Sequence, residues 1–224
     1  MSKFKSLDDW SGALLGIALI LAAWRGWLPY SLIETLGFVT GAACVYLVVK
    51  QNIWNFPLGI ANNIFFLILF AQDRLYGDAG LQIVYIALAI QGWYWWLYGG
   101  EHRTALQVNH APPRLLLILI GLVILGTIGL MLILQAVSGS APFVDAFTTI
   151  LSLAAQYLLN RKTIENWYVW ISADVLYIYL YIARDLQLTA ILYFIFLCLC
   201  LVGLWQWRRV WQRHSAAIVA PDLA

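Results

Sequence analysis

Charge is what this chain has least of. Only 11% of its 224 residues are Asp, Glu, Lys or Arg, and 63% are hydrophobic. An ordinary soluble domain is about a quarter charged. That scarcity excludes a normal water-facing surface and points to a polytopic membrane protein. Cysteine is scarce as well. Cys44, Cys198 and Cys200 each lie within an apolar run, so they read as small buried hydrophobes, and neither a disulfide framework nor a zinc site is expected. His102, His110 and His214 fall in loops or the tail, and no Ser–His pair, His-rich motif or glycine-rich phosphate loop lies within an apolar run. An intramembrane enzyme would need a nucleophile or metal triad at depth, so no catalysis, cofactor or metal is expected. No cluster of Lys or Arg lies at depth. A phosphorylated ligand is therefore disfavoured, since its dianion would find no counter-charge, and no nucleic-acid partner is expected. The first apolar run is not followed by an Ala-x-Ala type site, so a cleavable signal peptide is not expected.

What remains is apolar length. A helix needs about 20 apolar residues to cross roughly 30 Å of hydrocarbon. Eight candidate spans are present: 12–28, 36–50, 55–72, 79–98, 115–136, 143–159, 166–182 and 188–207. Alternating them across a membrane puts Lys3, Lys5, Lys50, Arg103, Arg114, Arg161, Lys162, Arg208, Arg209 and Arg213 on one side, and only Arg25, Arg74 and Arg184 on the other. The positive-inside rule then places both termini in the cytoplasm, which requires an even number of spans.

The chain also repeats. Displaced by 111 residues, Glu34 meets Asp145, Tyr46-Leu47 meets Tyr157-Leu158, and Lys50 meets Arg161. Asn55 meets Asn166, Asn63 meets Asp174, Leu75 meets Leu186, Gly92 meets Gly203, and Trp96 meets Trp207, all without a gap. Matched Asn, Gly and Trp positions are hard to obtain by chance in apolar sequence. The expected organisation follows: an N-terminal tail and peripheral helix over 1–33, a three-helix repeat over 34–100, a loop and linker helix over 101–140, a second repeat over 141–211, and a tail over 212–224. One span between two odd-numbered repeats makes them parallel, and such repeats place a substrate site between the halves near the midplane. Ser31 with Glu34 fits a capping box, and Pro112-Pro113 stop helix continuation in the longest loop.

Polar residues inside the spans are the candidates for chemistry. Asn166, Trp170, Asp174, Tyr177 and Tyr181 are spaced 4, 4, 3 and 4 apart, which puts them on one helical face. An intramembrane carboxylate costs roughly 2.5–3.5 kcal/mol and faces a cavity or a partner. Asp174 has no basic residue at comparable depth, so a cationic ligand is one partner and a neighbouring helix the bland alternative. Asn55, Asn62 and Asn63 interrupt "WNFPLGIANNIFFLILF", and their amides need protein or a cavity. Gln82 with Tyr85, and Gln91, add amides in the next span. Thr149, Ser152, Gln156 and Asn160 form a stripe that is as often helix-packing glue. The candidate site is Asn55, Asn62, Asn63, Gln82, Gln91, Gln156, Asn166, Trp170, Asp174 and Tyr177. Aromatic faces attract a cation by roughly 0.5–2 kcal/mol, and amides bind hydroxyls or a carboxamide. The expected ligand is a flat, cationic or neutral, hydroxylated small molecule.

Three motifs carry a resemblance: "WNFPLGIANN", "LYGDAGLQIVYIALAIQGWYWW" and "IENWYVWISADV". With them the chain resembles the Pnu vitamin transporters from about Glu34 to Trp207. The resemblance implies a SWEET-like 3+1+3 bundle, a homotrimer in the bacterial inner membrane among lipids, and uptake of an unphosphorylated vitamin precursor by facilitated diffusion, trapped inside by a kinase. It implies nicotinamide riboside, an NAD precursor, as substrate, with thiamine or another flat vitamin as the alternative. Asn55, Gln91, Asn166 and Trp170 are the site positions it carries over by motif.

Overall fold

The computed structural model describes residues 17–18, 20–22, 24–27, 32–72, 74, 76–137, 142–183 and 187–219. Residues 17, 18, 20–22 and 24 of the expected first span are helical. The rest of that span apart from 25–27, Ser31 of the capping box, the Leu75/Leu186 pair, and Lys3, Lys5 and Arg184 lie outside the described residues. Seven α-helices follow: α1 (Leu32–Val49), α2 (Asn55–Gln72), α3 (Tyr76–Tyr98), α4 (Pro113–Ala136), α5 (Pro142–Asn160), α6 (Glu165–Ala183) and α7 (Gln187–Val219). A short 3₁₀ turn, Glu101–Arg103, separates α3 from α4.

Each helix follows an expected span to within a few residues, apart from the far end of α7. That helix runs 33 residues without a break, so the boundary expected at 211/212 falls inside it. At 1.5 Å per residue it is about 50 Å long, well beyond the roughly 30 Å of a hydrocarbon core. Arg208, Arg209 and Arg213 sit on the surplus length.

The outer faces of the helices are bare and apolar. Along α4 only Thr127 is buried, while Leu117, Leu125 and Ile133 are exposed. A helix that is apolar all round and uncovered belongs in hydrocarbon. Among the described residues four helical stretches are long and apolar enough to span: α2, α4, α5 and Ala190–Ala216 of α7, with Thr35–Val49 a shorter apolar stretch. The protein is an all-helical membrane protein. Pro113 stands at the first position of α4, where its missing N–H is no loss, so the proline pair starts this helix as well as barring continuation from α3.

The packing obeys the 111-residue offset. Helix α2 packs on α3 as α6 packs on α7, and α1 lies against α2 as α5 lies against α6. The two triplets, α1–α3 and α5–α7, also interlock, because α1 packs on α7 and α3 on α5. The matched glycines sit at these close approaches. A Cβ at Gly92 would run into Phe56 and Asn160, and one at Gly203 into the ring of Trp167. Phe56 and Trp167 are themselves 111 apart.

The turns after α1 and α5 are copies too. Asn52 N bonds Leu47 O and Gln51 N bonds Val48 O; Thr163 N bonds Leu158 O and Lys162 N bonds Leu159 O. Gln51 and Lys162 both take φ of 54°. This is the Schellman arrangement that satisfies a helix's last carbonyls, made here without glycine.

The loop after α3 is strapped across the second of these turns. Asn109 N bonds Lys162 O at 3.2 Å and Ile164 N returns to Asn109 O at 3.0 Å. Glu165 fixes the strap from α6, with Oε2 accepting from Ala111 N at 2.8 Å and Oε1 2.7 Å from His110 Nδ1. The Lys162 ammonium donates to Leu106 O at 2.9 Å and lies 4.5 Å from the centre of the Trp96 ring.

Candidate functional site

Between the triplets lies a cavity of about 370 Å³, within the 300–1,000 Å³ usual for small-molecule sites. Its lining is built in pairs that the 111-residue offset relates: Gly41 and Ser152, Val45 and Gln156, Val48 and Leu159, Phe56 and Trp167, Gly59 and Trp170, Asn63 and Asp174, Tyr85 and Phe196, Ala89 and Cys200. Cys44, Asn55, Tyr177 and Tyr193 complete it. The cavity therefore sits where the two triplets face each other. The pairs are unequal in chemistry. At seven of the eight the α5–α7 member is the larger or more polar, most sharply at Ser152, Gln156, Trp170 and Asp174; only Tyr85 against Phe196 runs the other way.

Toward the two turns, the lining residues Phe56 and Trp167 belong to an aromatic floor. Phe56 meets Trp96 edge-on at 5.1 Å, and Trp167 meets Trp207 edge-on at 5.3 Å. Trp96 and Trp207 are 5.9 Å apart. Near the other end Tyr177 and Tyr193 lie 4.7 Å apart, with Tyr181 stacked on both. Ser152, Tyr85 and Tyr177 line the same cavity.

The structure brings together six of the ten candidate residues: Asn55, Asn63, Gln156, Trp170, Asp174 and Tyr177 all line the cavity. The other four are elsewhere. Asn62 accepts from Thr40 Oγ1 at 3.1 Å, an interhelical bond tying α2 to α1. Gln82 is half-buried away from the lining, and Gln91 is exposed on the outer side of α3. Asn166 is fully buried beside the turn, with Nδ2 bonded to Thr163 O at 2.5 Å. Asn55 repeats that bond to Asn52 O at 2.8 Å.

Sequence reasoning missed Trp167, Tyr193, Phe196, Cys44 and Cys200 as lining residues. The repeat offered a signal for Trp167, through Phe56, and for Phe196, through Tyr85. Tyr193 had one as well, since its counterpart is the candidate Gln82, although Gln82 itself does not reach the lining. Of the cysteines, Cys200 is buried and Cys44 partly so, but Cys198 is exposed on the outside of α7, where an exterior thiol meets no packing demand.

Asp174 is 5% exposed, and its Oδ2 has no hydrogen-bond partner among the described residues. Cys200 lines the same cavity. The buried Trp167 Nε1 and Asn166 Oδ1 are likewise unpartnered. Buried polar atoms are nearly always satisfied, so each orphan asks for an explanation. Here a donor and an acceptor, Trp167 Nε1 and Asp174 Oδ2, belong to side chains that line one cavity. Among the described residues no Lys or Arg lines it.

Residues 31–209 match the family model described as the nicotinamide mononucleotide transporter. The chain belongs to this family. Relatives of known name span most of both chains. The nicotinamide riboside transporter PnuC of Escherichia coli (strain K12) is 27% identical over 208 residues, covering 81% of this chain and 87% of that one. PnuC of Neisseria mucosa is 26% identical over 218 residues, covering 92% and 82%. The riboflavin/roseoflavin transporter RibM of Streptomyces davaonensis is 26% identical over 192 residues, covering 83% and 89%. The crystal structure of the vitamin B3 transporter PnuC superposes with a TM-score of 0.65 at 24% identity, over 94% of this chain and 100% of that one, so the fold is shared. Relatives of the chain thus carry names with different vitamins.

Proposed function

We propose that this protein takes up nicotinamide riboside by facilitated diffusion. The observation that carries the reading is Asp174: among the described residues, a buried carboxylate with an unpartnered oxygen, in a cavity floored by rings and free of basic side chains. Nicotinamide riboside is a flat pyridinium with a carboxamide and ribose hydroxyls. Its positive ring suits a carboxylate beside the Trp170 and Tyr177 rings, and its hydroxyls and amide suit Gln156, Asn55 and Asn63. A mononucleotide adds a phosphate for which the lining offers no cation, so the riboside is the transported form despite the family's description. Phosphorylation inside the cell would then retain it.

The arrangement that fits this reading is 3+1+3. Triplets α1–α3 and α5–α7 act as parallel repeats joined by α4, with one further helix before them, the cavity on their shared axis and both termini in the cytoplasm of a bacterial inner membrane. The strap of residues 99–112 and the tryptophan floor then lie at the cytoplasmic end. Assembly as a homotrimer in lipid, which the resemblance implies, is part of the same proposal.

A second reading has one observation behind it: a relative named for riboflavin is about as similar as those named for nicotinamide riboside. Riboflavin lacks the positive ring that would answer Asp174, and thiamine has one. Calorimetry of the purified protein with nicotinamide riboside, its mononucleotide, thiamine and riboflavin decides. Saturable binding of the riboside, with the others at least tenfold weaker, is expected; tighter binding of another vitamin would replace the substrate.

A further inference from the structure

The orientation of one cavity amide can be derived from its neighbours. Asn160 is fully buried at the end of α5 and lies against Gly92. One side-chain atom lies 2.7 Å from Leu88 O. A main-chain carbonyl can only accept, so that atom is Nδ2 and the other is Oδ1. The Oδ1 lies 3.0 Å from an amide atom of Gln156. Since Oδ1 also only accepts, the Gln156 atom is Nε2. Gln156 lines the cavity; Asn160 engages Nε2 through one of its two hydrogens, which fixes Oε1, an acceptor, as the other end of the amide.

We propose that Asn160 is a positioning residue that holds Gln156 as a hydrogen-bond acceptor, and so selects ligands presenting an N–H or O–H donor over analogues presenting a carboxylate. This rests on the nicotinamide riboside reading, in which the carboxamide NH₂ is such a donor. The relay from Leu88 through Asn160 to Gln156 has no twin in α1. Val45 and Val49 occupy the positions 111 residues earlier, so the selection is made from one triplet only. Without Asn160 the Gln156 amide can rotate and offer NH₂ instead, which a carboxylate would accept.

The test compares two ligands on full-length protein by calorimetry: nicotinamide riboside and its carboxylate analogue, nicotinic acid riboside. Asp174 opposes a carboxylate in every variant, so a change in the affinity ratio isolates the amide. Wild type should prefer the carboxamide at least tenfold. Asn160→Val, which copies the other triplet's own residue, should weaken nicotinamide riboside about tenfold, the scale of one lost hydrogen bond, and leave the analogue unchanged or tighter. Asn160→Ala repeats the measurement if the valine variant does not fold. Gln156→Met should weaken the carboxamide by a similar factor with no gain for the carboxylate. Both ligands falling together in Asn160→Val, as a merely loosened fold would give, or neither changing, overturns the positioning role alone. A wild type that binds neither ligand overturns the substrate reading, and this inference with it.

Discussion

Trp96 and Trp207 do the same thing to each other's triplet. Trp96 Nε1 donates to Leu159 O at 3.1 Å, and Trp207 Nε1 donates to Val48 O at 3.1 Å. Donors and acceptors are each 111 residues apart, so the two bonds are one bond made twice. Trp96→Phe and Trp207→Phe each remove one of the two hydrogen bonds that the carbonyl accepts, the turn N–H remaining, which costs about 0.5–1.5 kcal/mol. Equal drops in the apparent unfolding midpoint are expected for the two variants in detergent. A large drop for one and none for the other would mean that the floor is held from one side only.

Asp174→Asn keeps shape and hydrogen-bonding capacity but removes the charge. Loss of a charge-assisted contact lowers nicotinamide riboside affinity about ten- to a hundredfold. Yield should be kept, because an amide is less expensive to bury than an ion. Poor yield with normal affinity in the surviving protein would assign Asp174 to the scaffold instead.

The absence of basic residues from the lining predicts how the cavity treats phosphate. Nicotinamide mononucleotide should bind at least tenfold more weakly than the riboside in the same calorimeter. Placing a cation there, as in Gln156→Lys, should narrow that gap. Equal wild-type affinities would move the binding site away from this cavity.

Lys162 gives a dependence on pH. Burial pushes its ammonium down to about 8 from an ordinary 10.5. Folding therefore opposes its charge. Below about pH 8 the penalty is fully present; between about 8 and 10.5 the unfolded chain binds more protons than the folded one, so stability rises with pH. The difference in unfolding midpoint between wild type and Lys162→Met should shift in favour of wild type from pH 7.5 to 9.5. A constant difference would show that the ammonium is solvated where it lies on Trp96.

Topology is tested directly. The excess of Lys and Arg on one side predicts cytoplasmic reporters at both ends of the chain. A reporter active only in the periplasm, fused at either terminus, would break the eight-span count.

The helices and the repeat were legible because both rest on strong signals: apolar length, and polar or bulky residues matched at one offset. Asp174 was legible for the same reason, since one acid in an apolar helix has few places to go. Gln82 and Gln91 show where the signal stops. In a soluble helix the apolar face points inward, but in lipid both faces are apolar, so periodicity does not say which polar residue faces the bundle. The tryptophans of "GWYWWLYGG" illustrate the reverse. Trp and Tyr at a span end usually form an interfacial belt, yet Trp96 is buried with its indole bonded across to α5. That bond runs between residues 63 positions apart, a separation that no local pattern encodes.

The inequality of the paired lining residues has a consequence for how a molecule can lie inside. A chamber made of two identical walls would accept any guest in two ways, one the half-turn of the other, and would tell its ends apart no better than a symmetric keyhole does. Where one wall offers Val45, Gly59 and Asn63, the other offers Gln156, Trp170 and Asp174. The degeneracy is broken on a single side, so the two ways of seating a guest in this chamber are not equivalent.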